Sequence, residues 1–391
     1  MSRVNKSKRR NPIRVNYLLF LILNETFQAI VSNKIDTQQF PEIEVIAHRG
    51  ASGIYPDHSL QAYHGAGPTA DYIECDVAVT KDLVLVCLHS LELSNSTNFS
   101  EVYPNIPKKR RMWGFPVAWP RKNWFSIDYT YPQLYELGLV QEKSYRDSKY
   151  NGGKIVPLKT YMSVAQKWNI GVYIESKEPN SYNKWLKEEK GLNTTIEELI
   201  IDEFNKHDFS KSSNSRRCYF QSFSSESLIK LKQLNTYKNC KFAFLSQILT
   251  LPTKFVDNLA DNNITTLAFN KNTILAADYF NHIVEGCVFT AGGTLKRYYH
   301  MGFELHVFVF KNENQFLLFD FGQDYAKEIR YWLKTFPYIS AYFTDFSDSF
   351  RNALDEARFK WEAKNGSVRY ARGYWSYLVS IITSISIFSI K

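Results

Sequence analysis

The sequence predicts an α/β fold: a (β/α)8 TIM barrel with an insertion after the second strand hairpin. Short apolar or β-rich runs recur along the chain and alternate with amphipathic stretches, the pattern of a parallel sheet covered by helices. About eight such units follow one another, with one extra hairpin strand, and that number closes a barrel. The chain has 391 residues, 44% of them hydrophobic. A barrel of roughly 250 residues with insertions would use that length, although length alone also admits two ordinary domains.

In chain order, strands are expected at Glu44–Ala47, Tyr72–Val79, Leu83–Leu88, Gly171–Glu175, Cys218–Gln221, Lys241–Leu245, Thr265–Phe269, Glu304–Phe310 and Ala341–Phe343. Amphipathic stretches such as Pro157–Trp168 and Ser224–Leu234 lie between them. The barrel body is placed at residues 42–360. Residues 93–151 break the repeat, being long and rich in Pro, Trp, Tyr, Lys and Arg. A structureless loop of that length is uncommon inside a compact domain, so the segment reads as an insertion packed over one end of the barrel. There it either shapes a pocket or forms a decorative subdomain.

The net charge of +9 is concentrated at the ends. Residues 1–30 hold six bases and one acid, and residues 368–391 hold three bases and no acid, which leaves the body nearly neutral. No nucleic-acid partner is therefore expected. Residues 1–30 join a basic cluster to an apolar run from Val15 to Leu23, the pattern of a signal peptide or signal anchor, with cleavage near Ala29. Acceptor motifs at Asn95, Asn98, Asn193, Asn263 and Asn365 agree with passage through the secretory pathway, to a secreted or cell-surface location. Residues 374–390 form a hydrophobic tail preceded by a spacer and by the small residues Asn365-Gly366-Ser367. That order is the pattern of a lipid-anchor signal, and membrane attachment through this tail is the expectation. A helix packed on the barrel is the alternative. The five cysteines do not read as a disulfide framework. Cys75 and Cys87 fall in strand-like runs and read as core residues, while Cys218 and Cys240 could pair in an oxidising compartment.

The chemistry gathers at predicted strand ends. The first strand runs into His48-Arg49-Gly50-Ala51-Ser52, placing an acid–base group and an anion-binding group at a barrel mouth. In Ile73-Glu74-Cys75-Asp76-Val77 the carboxylates at i and i+2 share a strand face and would project together into the barrel. Two buried carboxylates repel, and a bound cation relieves the repulsion. The returning strand ends at His89. In Glu175-Ser176-Lys177 a third carboxylate and a lysine again share a face. Glu74, Asp76 and Glu175 would make an all-oxygen site for one divalent cation, Ca²⁺ or Mg²⁺, and Lys177 could meet a phosphate.

His48-Arg49-Gly50, Pro56-Asp57-His58-Ser59, Ile73-Glu74-x-Asp76-Val77, Thr80-Lys81-Asp82, His89 and Glu175-x-Lys177 resemble, in order and spacing, the glycerophosphodiester phosphodiesterase family. Gln221-Ser222-Phe223, the Val307–Glu313 stretch and Phe343-Thr344-Asp345-Phe346 resemble its later strands. The resemblance implies metal-dependent hydrolysis of glycerophosphodiesters to glycerol 3-phosphate and an alcohol. It implies His48 and His89 as the acid–base pair, Glu74, Asp76 and Glu175 as metal ligands, and Arg49 and Lys177 as phosphate-binding residues. The partner is then a small-molecule or lipid phosphodiester. Alternatives are lysophospholipase D-type action on membrane lipids, or a non-catalytic surface protein of the same fold. The sequence departs from the family pattern at Asp57 and Ser59, where Glu and Thr are usual, at Ser90, where Asp is frequent, and at Leu83, a turn position often held by Gly.

Overall fold

A computed structural model describes residues 40–114, 116–207, 217–237 and 239–364. The expected leader (residues 1–30), the hydrophobic tail (residues 374–390) and the acceptor Asn365 lie outside the described residues. Among the described residues no helix is long and apolar enough to cross a membrane.

Twelve strands are described: β1 (Glu44–Ala47), β2 (Tyr72–Val79), β3 (Leu85–Cys87), β4 (Lys109–Trp113), β5 (Trp119–Asn123), β6 (Val156–Pro157), β7 (Gly171–Ser176), β8 (Cys218–Ser222), β9 (Cys240–Ser246), β10 (Thr266–Asn270), β11 (Glu304–Phe310) and β12 (Ile339–Thr344). Strands β1, β2, β7, β8, β9, β10, β11 and β12 pair in parallel. β1 pairs with both β2 and β12, and this closes the ring. The predicted barrel is therefore the observed one, with helices such as Leu158–Trp168, Ile196–Lys206 and Ser225–Leu234 between its strands.

Strand alternation sorts the side chains. Every residue of β2 and β7 is buried, as expected of strands covered on both faces. Ile46, Tyr72, Tyr173, Tyr219, Ala243, Ala341 and Phe343 form one interior cluster. The Tyr173 and Tyr219 rings stack with centroids 4.6 Å apart. Two residues farther along the same strands, and hence on the same interior face, come His48, Glu74, Glu175, Gln221 and Asp345. The aromatic layer fills the barrel beneath these polar groups, so they meet at the end where the strands finish.

β3 runs back antiparallel along β2 with Val77 opposite Cys87. It is shorter than expected because Leu83 stands in the turn with φ +65°, a left-handed conformation that glycine adopts without steric cost. The insertion has a core of its own. Leu93, Phe99, Trp124, Tyr129, Leu134, Leu137 and Leu139 pack with Ala78, Val86, Leu88 and Ile155, and Phe99 stacks on Trp124. β4 and β5 form a hairpin that projects from this subdomain.

The cysteine reading is corrected by the register. Cys75 and Cys87 are buried core residues, as expected, but they also form a disulfide, which the expectation of no disulfide framework did not include. Antiparallel pairing of β3 on β2 brings the two together, and that pairing depends on a turn whose register the sequence does not display. Cys218 and Cys240 stand directly opposite each other on β8 and β9 and form the second bridge. Cys287 is free and exposed. Peptide mapping without reduction should recover both bridges, with Cys287 alone alkylated among the five. Each loop spans a dozen to two dozen residues, so opening either bridge by a Cys→Ser pair should cost roughly 3 kcal/mol. Free thiols at Cys75 and Cys87 in oxidised protein would contradict the pairing.

Candidate active site

The turn after β1 does most of the positioning. Arg49 and Gly50 both have positive φ, 59° and 81°. A Cβ on Gly50 would lie 2.6 Å from the Ala62 carbonyl carbon, so no other residue fits without movement. This left-handed pair turns the Arg49 backbone N–H onto Glu74 Oε2 at 2.8 Å. The Arg49 guanidinium donates to Asp57 at 2.7 Å and lies 3.5 Å from Asp76. His58, also at φ 59°, sits fully inside with Nε2 3.0 Å from Asp76 and Nδ1 2.9 Å from the Tyr63 hydroxyl.

β2 and β7 run side by side with Asp76 opposite Glu175. One oxygen from each of Glu74, Asp76 and Glu175 lies within 4.8 Å of the others, and all three residues are buried. Lys177 Nζ stands 3.1 Å from Asp76 and 3.8 Å from Glu175. Burial works against the Asp76 carboxylate, but Lys177, His58 and Arg49 together hold it well below the usual carboxylate range. Glu74 goes the other way, pushed well up by burial and by the neighbouring charges of Asp76 and Glu175. Glu175 is pushed up to about 8, chiefly by burial and, against the pull of Lys177, by Asp76. Its Oε1 is buried with no hydrogen-bond partner among the described residues. An all-oxygen, acid-rich donor set with an unused buried oxygen fits a hard cation such as Ca²⁺ or Mg²⁺.

Two histidines flank this cluster. His48 Nδ1 lies 2.7 Å from Asp345 Oδ1. Burial and the Arg49 charge lower the His48 pKa, and Asp345 opposes them. His89 Nδ1 lies 3.7 Å from Glu142. His89 is partly exposed at the mouth, yet crowding by the cavity walls and the charges of Arg49 and Lys177 hold its pKa down at about 4. Asp345 is itself gripped by Arg146 at 2.6 Å, and Arg146 also meets Glu313 at 2.7 Å.

All seven residues singled out by the sequence line one cavity of about 590 Å³, together with Asp57, Arg146, Gln221 and Asp345. Asp345, Glu142, Arg146 and His58 join the site without a role expected from the sequence. Asp345 had a signal: it follows Phe343 by two residues, immediately after β12, and continues its interior face. His58 lay within a quoted motif. Glu142 and Arg146 lie in the insertion, where no strand period marks a facing direction. From there Glu142 faces His89 and Arg146 reaches Asp345, so the segment supplies partners to cavity residues.

The chain matches the Glycerophosphoryl diester phosphodiesterase family over residues 48–329. It is 28% identical over 332 residues to a glycerophosphodiester phosphodiesterase of Arabidopsis thaliana, covering 78% of this chain and 84% of that one. A glycerophosphodiester phosphodiesterase of Bacillus subtilis is 30% identical over 199 residues, 49% of this chain and 56% of its own. Among solved structures, a phosphodiesterase from Oleispira antarctica in complex with the product sn-glycerol-3-phosphate has a TM-score of 0.51 at 17% identity, covering 80% of this chain and 96% of that one. A glycerophosphoryl diester phosphodiesterase structure from Silicibacter pomeroyi has a TM-score of 0.56 at 14% identity, covering 82% and 95%. At these identities the two structures bear on the fold alone.

The raised Glu175 pKa carries a stability signature. Metal-free folded protein keeps a proton on Glu175 up to about pH 8, whereas the unfolded chain releases it near the ordinary 4.5. This contribution is whole below pH 4.5 and is lost as the pH rises through 8. In chelator, wild type should therefore lose stability relative to Glu175→Gln between pH 5 and pH 9, on the order of a few kcal/mol in all. Thermal melts of the two proteins that stay parallel across that range would contradict the assignment.

Proposed function

The chain belongs to the glycerophosphoryl diester phosphodiesterase family and is a phosphoric diester hydrolase; from that premise we propose that it hydrolyses glycerophosphodiesters to glycerol 3-phosphate and an alcohol, with one divalent cation held by Glu74, Asp76 and Glu175. The observation that carries the reading is the meeting, in one cavity, of three carboxylates, two histidines and two cationic side chains. A non-catalytic barrel would have no need to keep all seven together at such cost in buried charge.

Phosphodiesters resist hydrolysis because the anionic phosphoryl oxygens repel a nucleophile. A bound Ca²⁺ or Mg²⁺ supplies positive charge to those oxygens. Arg49 adds a planar guanidinium, kept rigid by Asp57, and Lys177 adds a point charge beside the carboxylates. His48 and His89 are both held toward the neutral form, in which an imidazole nitrogen can accept a proton. One removes the proton of the attacking hydroxyl; the other, charged by a proton taken up from solvent, gives that proton to the leaving alkoxide, and the first then sheds its proton to solvent. Asp345 accepts from His48 Nδ1–H, which leaves Nε2 as the reactive nitrogen and supports the imidazolium when it forms. Glu142 stands to His89 in the same relation at a looser distance.

The reading extends to the compartment. Two disulfides suit an oxidising environment, and the acceptors Asn95, Asn193 and Asn263 are exposed. Both support the secretory route expected from residues 1–30.

Assay of a glycerophosphodiester panel should show release of glycerol 3-phosphate that stops in chelator and returns with Ca²⁺ or Mg²⁺. His48→Ala and His89→Ala should each lower turnover by at least about 10²-fold, with unchanged melting behaviour. Full turnover in either variant would remove that histidine from the acid–base pair, and inactivity on every diester would reject the substrate class.

A further inference from the structure

The β4–β5 hairpin is outside the chemistry described above, and its two faces differ. Alternation gives one face Lys109, Arg111 and Trp113. These turn to the protein: Lys109 and Arg111 pair with Asp128, Arg111 also with Glu189, and Trp113 Nε1 donates to Glu178 at 2.6 Å. The other face carries Arg110 and Met112 on β4, and Pro120 and Lys122 on β5. Arg110 stands directly opposite Lys122. Like charges across a strand pair are destabilising, and neither residue forms an ion pair with a described residue. Both are exposed. Beyond them the hairpin end is apolar: Met112 is 61% exposed and Val117 70%, and Trp119, opposite Trp113 on the face turned to the protein, is still exposed.

The hairpin reaches toward the cavity: Trp113 and Arg121 both donate to Glu178, the residue after the cavity-lining Lys177. Farther round the mouth, Tyr279 is 95% exposed, and Phe280 and Phe319 are exposed too. Their segments border the same cavity through Ala277, Asn281 and Leu318. Exposed apolar side chains thus stand on two segments that border the cavity and at the hairpin end, and behind the latter sit Arg110 and Lys122, without an ion-pair partner among the described residues.

We propose that this face docks on an anionic lipid bilayer, with the hairpin end and the Tyr279–Phe280 loop entering the interface and Arg110 and Lys122 lying against lipid phosphates and carboxylates. A bilayer offers negative charge at its surface and apolar matter just beneath, in the order in which the hairpin presents bases and then apolar residues. A second copy of the chain would bring the same positive charge to the contact and be repelled. The proposal concerns where the enzyme sits, and it is independent of which diester the cavity takes.

The test is sedimentation of the full chain with phosphatidylcholine–phosphatidylserine vesicles and with phosphatidylcholine vesicles, in parallel with hydrogen exchange over residues 108–122. The expected results are salt-sensitive binding that needs phosphatidylserine and slowed exchange in the hairpin on the vesicles. R110E/K122E and M112S/V117S/W119S should each weaken binding at least about tenfold, while hydrolysis of a water-soluble glycerophosphodiester stays at the wild-type rate. The chain ends are identical in all three proteins, so attachment through an end would appear as equal binding of wild type and variants. That equality would overturn the proposal, as would absence of vesicle binding by wild type. Self-association abolished by M112S/V117S/W119S, without vesicle binding, would assign the surface to a second copy instead.

Discussion

Three carboxylates, none more than about 5% exposed, stand within 4.8 Å of one another at the end of the barrel, and the surrounding residues are arranged around that concentration of negative charge. Burying one ionised carboxylate without compensation is prohibitive, and burying three side by side is worse. The chain compensates in distinct ways. Asp76 stays ionised because Lys177, His58 and Arg49 converge on it. Glu74 receives the Arg49 backbone N–H and the Gln221 amide but remains biased toward its protonated form. Glu175 keeps one oxygen without a hydrogen bond. The left-handed turn at Arg49 and Gly50 belongs to the same compensation, since an ordinary turn would not aim both the backbone N–H and the guanidinium of one residue at this cluster.

A second tier of charge holds the histidines. Asp345 follows the last barrel strand and binds the histidine that follows the first, so the pair spans the seam where β1 meets β12. Arg146 reaches from the insertion to lock Asp345, and Glu142, from the same segment, faces His89. The barrel thus supplies the seven cavity residues to which the proposed chemistry is given, and the insertion supplies two groups, Glu142 and Arg146, that pair with His89 and Asp345. Its aromatic core, with Phe99 on Trp124, gives those arms a rigid base.

The barrel was legible because its signal is periodic. β1, β2 and β11 begin and end where apolar alternation places them, and i, i+2 spacing alone sets Glu74 beside Asp76. The site was legible where it rides on those strands. Legibility ended where contacts depend on register or on irregular chain. The Cys75–Cys87 bridge depends on how β3 folds back through a left-handed Leu83. Glu142 and Arg146 sit in a segment whose path is set by tertiary packing, and no local pattern marks them as cavity residues. Asp345 lay between these cases, since its facing direction followed from Phe343 but its partner His48 lies 297 residues away.

Direct titration of metal-free protein with Ca²⁺ and with Mg²⁺ tests the central claim, that the carboxylate cluster is a cation site on which hydrolysis depends. The account predicts saturation at one ion per chain for at least one of the two metals, release of protons on binding at neutral pH, and loss of binding in both Asp76→Asn and Glu175→Gln. Absence of saturable binding in an active enzyme, or binding that survives both substitutions, would contradict it.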